Sequence, residues 1–212
     1  MMDNILTNII FLPLFMAVML GIFRAPLKVL KMGALFSSIV TLLLVAWLTY
    51  HFDPHSGMQF VQDHPWIQKS GFSYFIGVDS LSLVILLLIT LLMPPLYLYM
   101  YHEERKGYWY NMMLLQTGVT GAVLSLDLVL FYLFWETMLL PIFIMIGKYG
   151  SGMHQYNAMK IILMTILGSM SMLFSILYLG YMYFETTGMW SFALNDLSTI
   201  VFDAKTLSLI HI

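Results

Sequence analysis

The chain has 212 residues, 60% of them hydrophobic and only 9% charged, with 9 Lys+Arg, 11 Asp+Glu and no cysteine. A water-soluble domain carries about 25% charged residues, so too little polar material is present to cover a globule in water, and a soluble enzyme is excluded. The net charge of −2 gives nothing to steer the chain to nucleic acid, and without cysteine there is no disulfide, thiolate metal site, iron–sulfur ligation or cysteine nucleophile.

The few charges leave long gaps. Residues 4–23, 32–52, 80–102, 107–126 and 161–184 contain no Asp, Glu, Lys or Arg, and each run is 20 to 24 residues long. A helix needs about 20 apolar residues to cross the hydrocarbon core, so each run predicts a membrane helix. A sixth run, 128–147, is broken only by Glu136. The fold class is therefore all-α transmembrane, with six predicted membrane helices plus the start of a seventh.

In chain order, residues 1–50 carry helices one and two. The first is preceded by no basic residue, and reads as a retained span rather than a cleaved signal. Residues 51–79 are the only long connection; Gly71 to Gly77 alternates like a strand between glycines and predicts a small hairpin over the outer face. Residues 80–106 carry helix three, which Pro94-Pro95 should kink, and 107–184 carry helices four to six. Residues 185–212 read as an outer loop and a truncated seventh helix, because the apolar run from Ala204 to Ile212 is too short to cross a membrane; a chain fragment is the expectation.

Basic residues collect in alternate connections: Arg24, Lys28 and Lys31, then Arg105 and Lys106, then Lys148 and Lys160. Lys69 and Lys205 stand on the other side. The positive-inside rule places the first set in the cytoplasm and the N-terminus outside. Small residues at helical spacing, Gly118 with Ala122 and Gly121 with Ser125, then Gly168, Ser171 and Ser175, read as close-packing faces. The histidines fall in loops, at span ends or in the tail, which disfavours a haem-binding membrane cytochrome.

Glu136 carries the functional argument. Eight residues into its run, it lies roughly 12 Å along the helix. A carboxylate at that depth costs a few kcal/mol and ordinarily faces a bundle interior or a wet cavity with a partner. Burial penalises the ionised form and a nearby cation restores it, the balance a reversible proton carrier requires. Pro141 has no N–H to donate to the carbonyl of Thr137, so a free carbonyl beside the acid can recruit water. The alternative is a static interhelical contact. Lys160, near the start of helix six, either snorkels to the surface or turns inward as a second proton-transfer candidate. Asp79 and Asp127 read as N-terminal residues favoured by the helix dipole.

The stretch from Asp127 to Gly147, DLVLFYLFWETMLLPIFIMIG, resembles the signature of subunit M (chain 4) of proton-pumping NADH:quinone oxidoreductase, respiratory complex I. Tyr156 to Ser169 is similar to the following helix of that family, and Ile76 to Leu83 to the outer start of its third. Ser80, where glycine is usual, and Gly147 to Gly150, in place of a more apolar turn, are departures that leave the acid untouched. The resemblance implies an antiporter-like bundle with inverted repeats and broken helices, of which this chain would be the N-terminal part. It implies that the glutamate matching Glu136 pairs with a lysine on the seventh helix, beyond this chain.

The resemblance further implies a proton-translocating subunit with no cofactor of its own. NADH, FMN, iron–sulfur clusters and quinone would belong to other subunits. Its partners would be the lipid bilayer and other membrane subunits of the complex, neighbouring antiporter-like subunits above all, with no nucleic acid. Its site would be the bacterial inner membrane rather than a mitochondrial or plastid one, and the fragment alone would be inactive. Two alternatives remain: a subunit of a cation/proton antiporter or membrane-bound hydrogenase complex, and a structural membrane scaffold.

Overall fold

The computed structural model describes residues 4–67, 71–150 and 152–200. Six long helices follow one another as α1 (Ile5–Ile22), α2 (Leu27–Tyr50), α3 (Ser80–Tyr99), α4 (Lys106–Leu124), α5 (Leu128–Tyr149) and α6 (His154–Thr187). Between α2 and α3 the chain forms an antiparallel hairpin, β1 (Gln59–Ile67) and β2 (Phe72–Val78). A short α7 (Leu194–Leu197) follows α6. The expected seventh run, from Ala204 onward, lies outside the described residues.

Two apolar clusters tie the bundle together. One gathers Ile9 of α1, Leu48 of α2, Ile76 of β2, Leu86 of α3, Leu124 of α4 and Phe134 of α5. The other gathers Ala17 of α1, Leu30 of α2, Tyr97 of α3 and Trp109 of α4. The start of α1 meets the end of α2, and the end of α1 the start of α2, so successive helices run antiparallel, as spans joined by short loops must.

The structure is an all-α membrane protein, with five helices long and apolar enough to cross a bilayer among the described residues. The expected six is one too many by that measure, and α4 is the exception. It packs against α1, α2, α3 and α5, and buries Gln116, Thr117 and Thr120 along with its apolar residues. A helix sheathed by protein needs no lipid-compatible surface, so polar side chains lower its hydropathy without penalty.

Two helices exceed their charge-free runs. α2 begins at Leu27, with Pro26 before its first turn, so Lys31 lies inside the helix and only 9% exposed. Its ammonium donates to the Tyr101 carbonyl at 2.6 Å and lies 5.0 Å from the Tyr101 ring centroid and 5.8 Å from that of Trp109. A carbonyl and two ring faces replace its water. Lys31→Met should lower stability by about 2 kcal/mol, read as an earlier thermal transition of the solubilised protein. α6 has 34 residues and includes Lys160 and Glu185. At 1.5 Å per residue it is about 51 Å long, more than the hydrocarbon core, so its charged ends reach the interfaces.

At the hairpin end a short segment fixes where α5 begins. Ser125 bridges Ile76 of β2 and Asp127 bridges Ala193, both antiparallel. Leu126 N–H donates to the Phe75 carbonyl at 2.8 Å, and the Leu126 carbonyl accepts from Leu194 N–H at 2.8 Å. Residues 125–127 are thus held between β2 and the chain after α6. The hairpin turn needs Gly71: its φ is +68°, and a Cβ there would collide with the backbone of Trp190.

Candidate functional site at the α5–α6 seam

The site is built from the start of α5. Asp127 caps this helix: one carboxylate oxygen accepts from Val129 N–H at 2.8 Å and Leu130 N–H at 3.0 Å, the other from Ser73 N–H of β2 at 3.4 Å. The role read from the sequence, an acid at a helix N-terminus, gains a tie to the hairpin. Asp127 is 1% exposed, and burial holds its carboxyl above the usual carboxylate range, against the pull of those N–H donors.

A raised pKa has a definite sign. The folded state binds the proton more tightly than the unfolded chain, so this contribution to stability is present at acid pH and lost as pH rises through the folded value. Asp127→Asn keeps a capping oxygen without a charge. Its stability relative to wild type should therefore be higher at neutral than at acid pH, whereas Asp127→Ala loses about 1 kcal/mol of capping. Thermal unfolding of the three proteins at both pH values checks this.

From that start, α5 presents one face to α4 and another to α6. Toward α4, Leu130, Phe134 and Pro141 are buried, and α4 meets them with glycine. A Cβ on Gly118 would lie 2.6 Å from Met138 Cγ and 3.3 Å from the Phe134 carbonyl oxygen, and one on Gly121 would overlap the Phe134 ring. The expected close-packing face on α4 is therefore real. On α6 the pattern differs: Gly168 has open space around it, Ser171 and Ser175 are exposed, and the buried small residues are Ala158, Ser169 and Gly180.

Toward α6, Tyr132, Glu136, Leu139, Phe143 and Ile146 follow one another at helical spacing. The last three line a narrow cleft with Ala158, Ile161, Ile162 and Thr165 of α6. One turn nearer the hairpin, Glu136 is half-buried, and its Oε1 is buried without a hydrogen-bond partner. Tyr132 lies one turn before Glu136 on the same face of α5. Pro141 lies within α5, which stays helical through it. The Thr137 carbonyl next to Glu136 therefore lacks its i+4 donor.

The structure does not bring Lys160 to Glu136. Lys160 is exposed and nine residues before Ser169 on α6, half a turn out of phase, so it faces away from α5. Lys148, at the far end of α5, lies 5.9 Å from the Tyr149 ring centroid. Among the described residues the only ion pair joins Arg105 to Glu103, 2.6 Å apart near the start of α4. Arg105 holds the Glu103 carboxyl down to about 2, but the pair is too exposed to stabilise much. No cation of the described chain faces Glu136. The seam is also at the least covered edge of the bundle: 17% of the apolar stretch of α5 and 11% of that of α6 are buried, against 33% or more in α1, α2 and α3.

Sequence reasoning located Glu136 and Pro141 but not Tyr132 or Ser169. The available signal was spacing, since Tyr132 is one turn from the acid and polar within an apolar run.

Residues 125–211, which include this seam, match the transmembrane domain family described as NADH:quinone oxidoreductase/Mrp antiporter. That segment carries the transmembrane domain of this family. The chain is 39% identical over 194 residues to NADH-quinone oxidoreductase subunit M of Rhodobacter capsulatus, covering 88% of this chain and 37% of that relative. Its fold is similar to a chain of respiratory complex I from Thermus thermophilus with bound NADH, at a TM-score of 0.77 and 21% identity over 96% of this chain and 40% of that one. It is also similar to a chain of the Mrp complex from Dietzia sp. DQ12-45-1b, at a TM-score of 0.72 and 20% identity over 89% of this chain and 35% of that one. The chain thus spans 37% of the length of its Rhodobacter relative.

Proposed function

We propose that the chain forms part of a proton-translocating membrane subunit of NADH:quinone oxidoreductase, with Glu136 as the carrier of protons within the membrane. The observation that carries this reading is the buried, unpartnered Oε1 of Glu136, deep in an apolar helix beside the carbonyl that Pro141 leaves free. A static structural glutamate would have its oxygens satisfied. The likeness to subunit M of Rhodobacter capsulatus supports the assignment to this complex.

Glu136 alternates between ionised and protonated states as the charge near it changes, and no described residue of this chain supplies that charge. It comes from a lysine elsewhere in the assembled bundle, as the family resemblance implies. Ionised when the lysine is close and protonated when it withdraws, the acid passes protons between the two sides of the membrane. Electron transfer from NADH to quinone, through FMN and iron–sulfur clusters in other subunits, supplies the free energy. The partners are those other subunits, and the chain alone is inactive. The location is the bacterial inner membrane, with the N-terminus and hairpin outside and Arg24, Lys28, Arg105 and Lys106 inside.

The test is proton translocation driven by NADH in membrane vesicles holding the whole complex. Loss of the gradient in Glu136→Gln supports the reading, and a wild-type gradient overturns it. A second reading, an Mrp-type cation/proton antiporter, is favoured by the family description, which covers both groups. Sodium-dependent transport without NADH would select it.

A further inference from the structure

We propose that a water molecule binds in the bundle core between α3 and α4, accepting a hydrogen bond from Nε2 of Gln116 and donating one to the Thr90 carbonyl that Pro94 leaves free. The site is separate from Glu136 and does not depend on its role.

The donor comes from α4. Gln116 is fully buried. Its Oε1 accepts from the Tyr97 hydroxyl of α3 at 3.3 Å, whereas its Nε2 is buried without a partner. Buried amide N–H groups are expensive to leave unpaired, and ordered water is what commonly satisfies them. The buried hydroxyls on these two helices are turned to their own backbones: Thr90 donates to the Leu86 carbonyl at 2.9 Å, Thr117 to that of Met113 at 3.2 Å and Thr120 to that of Gln116 at 2.9 Å.

The acceptor comes from α3, whose buried stripe includes Thr90, Met93, Pro94 and Tyr97. Pro94 has no N–H, so the Thr90 carbonyl one turn earlier lacks its i+4 donor. Pro95 does the same to Leu91, but both of those residues are exposed and that gap is on the outer side of the helix. The Tyr97 and Trp109 rings stack with centroids 5.9 Å apart, which puts these two residues of the antiparallel pair at one level. Seven residues back from Tyr97 stands Thr90, and seven on from Trp109 stands Gln116, about 10.5 Å along each helix. The freed carbonyl and the unpaired amide therefore share a depth. They also lean the same way, since a helix carbonyl points toward its C-terminus and a helix side chain toward its N-terminus, here both toward Tyr97.

The chemistry selects the occupant. A cation would face the N–H and an anion would face the carbonyl, so the bridging group must be neutral and must both accept and donate. Water does both, and its second O–H has the Tyr97 oxygen beside the same carboxamide. That gives it three hydrogen bonds, the usual number for a buried water. The bridge ties a helix weakened by two prolines to α4, whose Gly118 and Gly121 seat α5.

The experiment uses the assembled membrane complex that contains the chain, as wild type, Gln116→Leu and Pro94→Ala. Its readouts are a cryo-electron microscopy map fine enough to show ordered water, and X-ray radiolytic labelling, in which bound water generates hydroxyl radicals that modify its neighbours. The wild-type map should hold one water within hydrogen-bond reach of Gln116 Nε2 and the Thr90 oxygen. Gln116→Leu should lose it, and labelling of the buried Tyr97 and Met93 should fall severalfold. Pro94→Ala returns an N–H to the Thr90 carbonyl and should likewise displace the water. A wild-type map that is dry at this point, or that shows Nε2 bonded directly to a protein acceptor, overturns the proposal. So does unchanged labelling of Tyr97 in Gln116→Leu. Should that variant not assemble, the wild-type map decides alone. A water kept in full in Pro94→Ala overturns the Thr90 carbonyl as its acceptor.

Discussion

Glu136→Gln is expected to cut NADH-driven proton translocation by about 10²-fold or more, the usual scale of losing a group that exchanges a proton in the rate-limiting step. Glutamine matches the shape of glutamate and can still hydrogen-bond, so the packing of α5 on α4 and α6 is kept and only protonation is lost. Assembly and thermal transition should stay at wild-type values. Glu136→Asp separates chemistry from reach: it keeps the carboxyl but withdraws it by one methylene from Tyr132 and the free Thr137 carbonyl. Partial translocation is expected there, because a displacement on the order of 1 Å can cost up to 10²-fold. Comparing the gradients formed by wild type, Gln and Asp in the same vesicles checks both statements.

The second large effect is mechanical. Gly121→Leu places a branched side chain where the Phe134 ring already lies against α4. Phe134 is 7% exposed and belongs to the core that joins α1, α4, α5 and the hairpin. The ring lies against the Gly121 Cβ position itself, so the ring must turn away from α4 or α5 must shift. Overpacking of this kind costs about 1 to 3 kcal/mol or more, and here the cost falls on the helix that bears the acid. The variant should show an early thermal transition and poor assembly. Gly168→Ala is the control: nothing lies within 4 Å of the added carbon, and alanine favours the helix over glycine by roughly 0.5 to 1 kcal/mol. Its transition should not fall.

The helices were legible because the bilayer imposes one rule on six segments: exclude charge for about 20 residues. The rule misplaces a boundary wherever protein takes over from lipid as solvent. Lys31 ended a charge-free run, yet it is inside α2, since a carbonyl and two aromatic faces accept its ammonium. Lys160 and Glu185 bounded the run for α6, yet the helix continues past both. α4 fails on hydropathy because four other helices shield it. For the site, one carboxylate in an apolar run stands out in any reading of the chain. Tyr132 and Ser169 do not, as tyrosine and serine are common in spans. Tyr132 is one turn from the acid on its own helix, whereas only the docking of α6 on α5 turns Ser169 into the seam. The turn of Lys160 away from the seam likewise depends on helical phase relative to a partner that the sequence does not orient.

The short stretch between α4 and α5 deserves a mechanical reading. With Leu126 bonded to Phe75 of β2 on one side and to Leu194 on the other, α5 is a beam clamped at its hairpin end. Its weakest cross-section is the turn at Pro141, where a backbone hydrogen bond is missing. Bending imposed on the free end concentrates there, one turn from Glu136, while the clamped end stays in register. The acid thus sits beside the hinge but on the stationary side of it, so motion of the far half of α5 changes its surroundings without carrying it away.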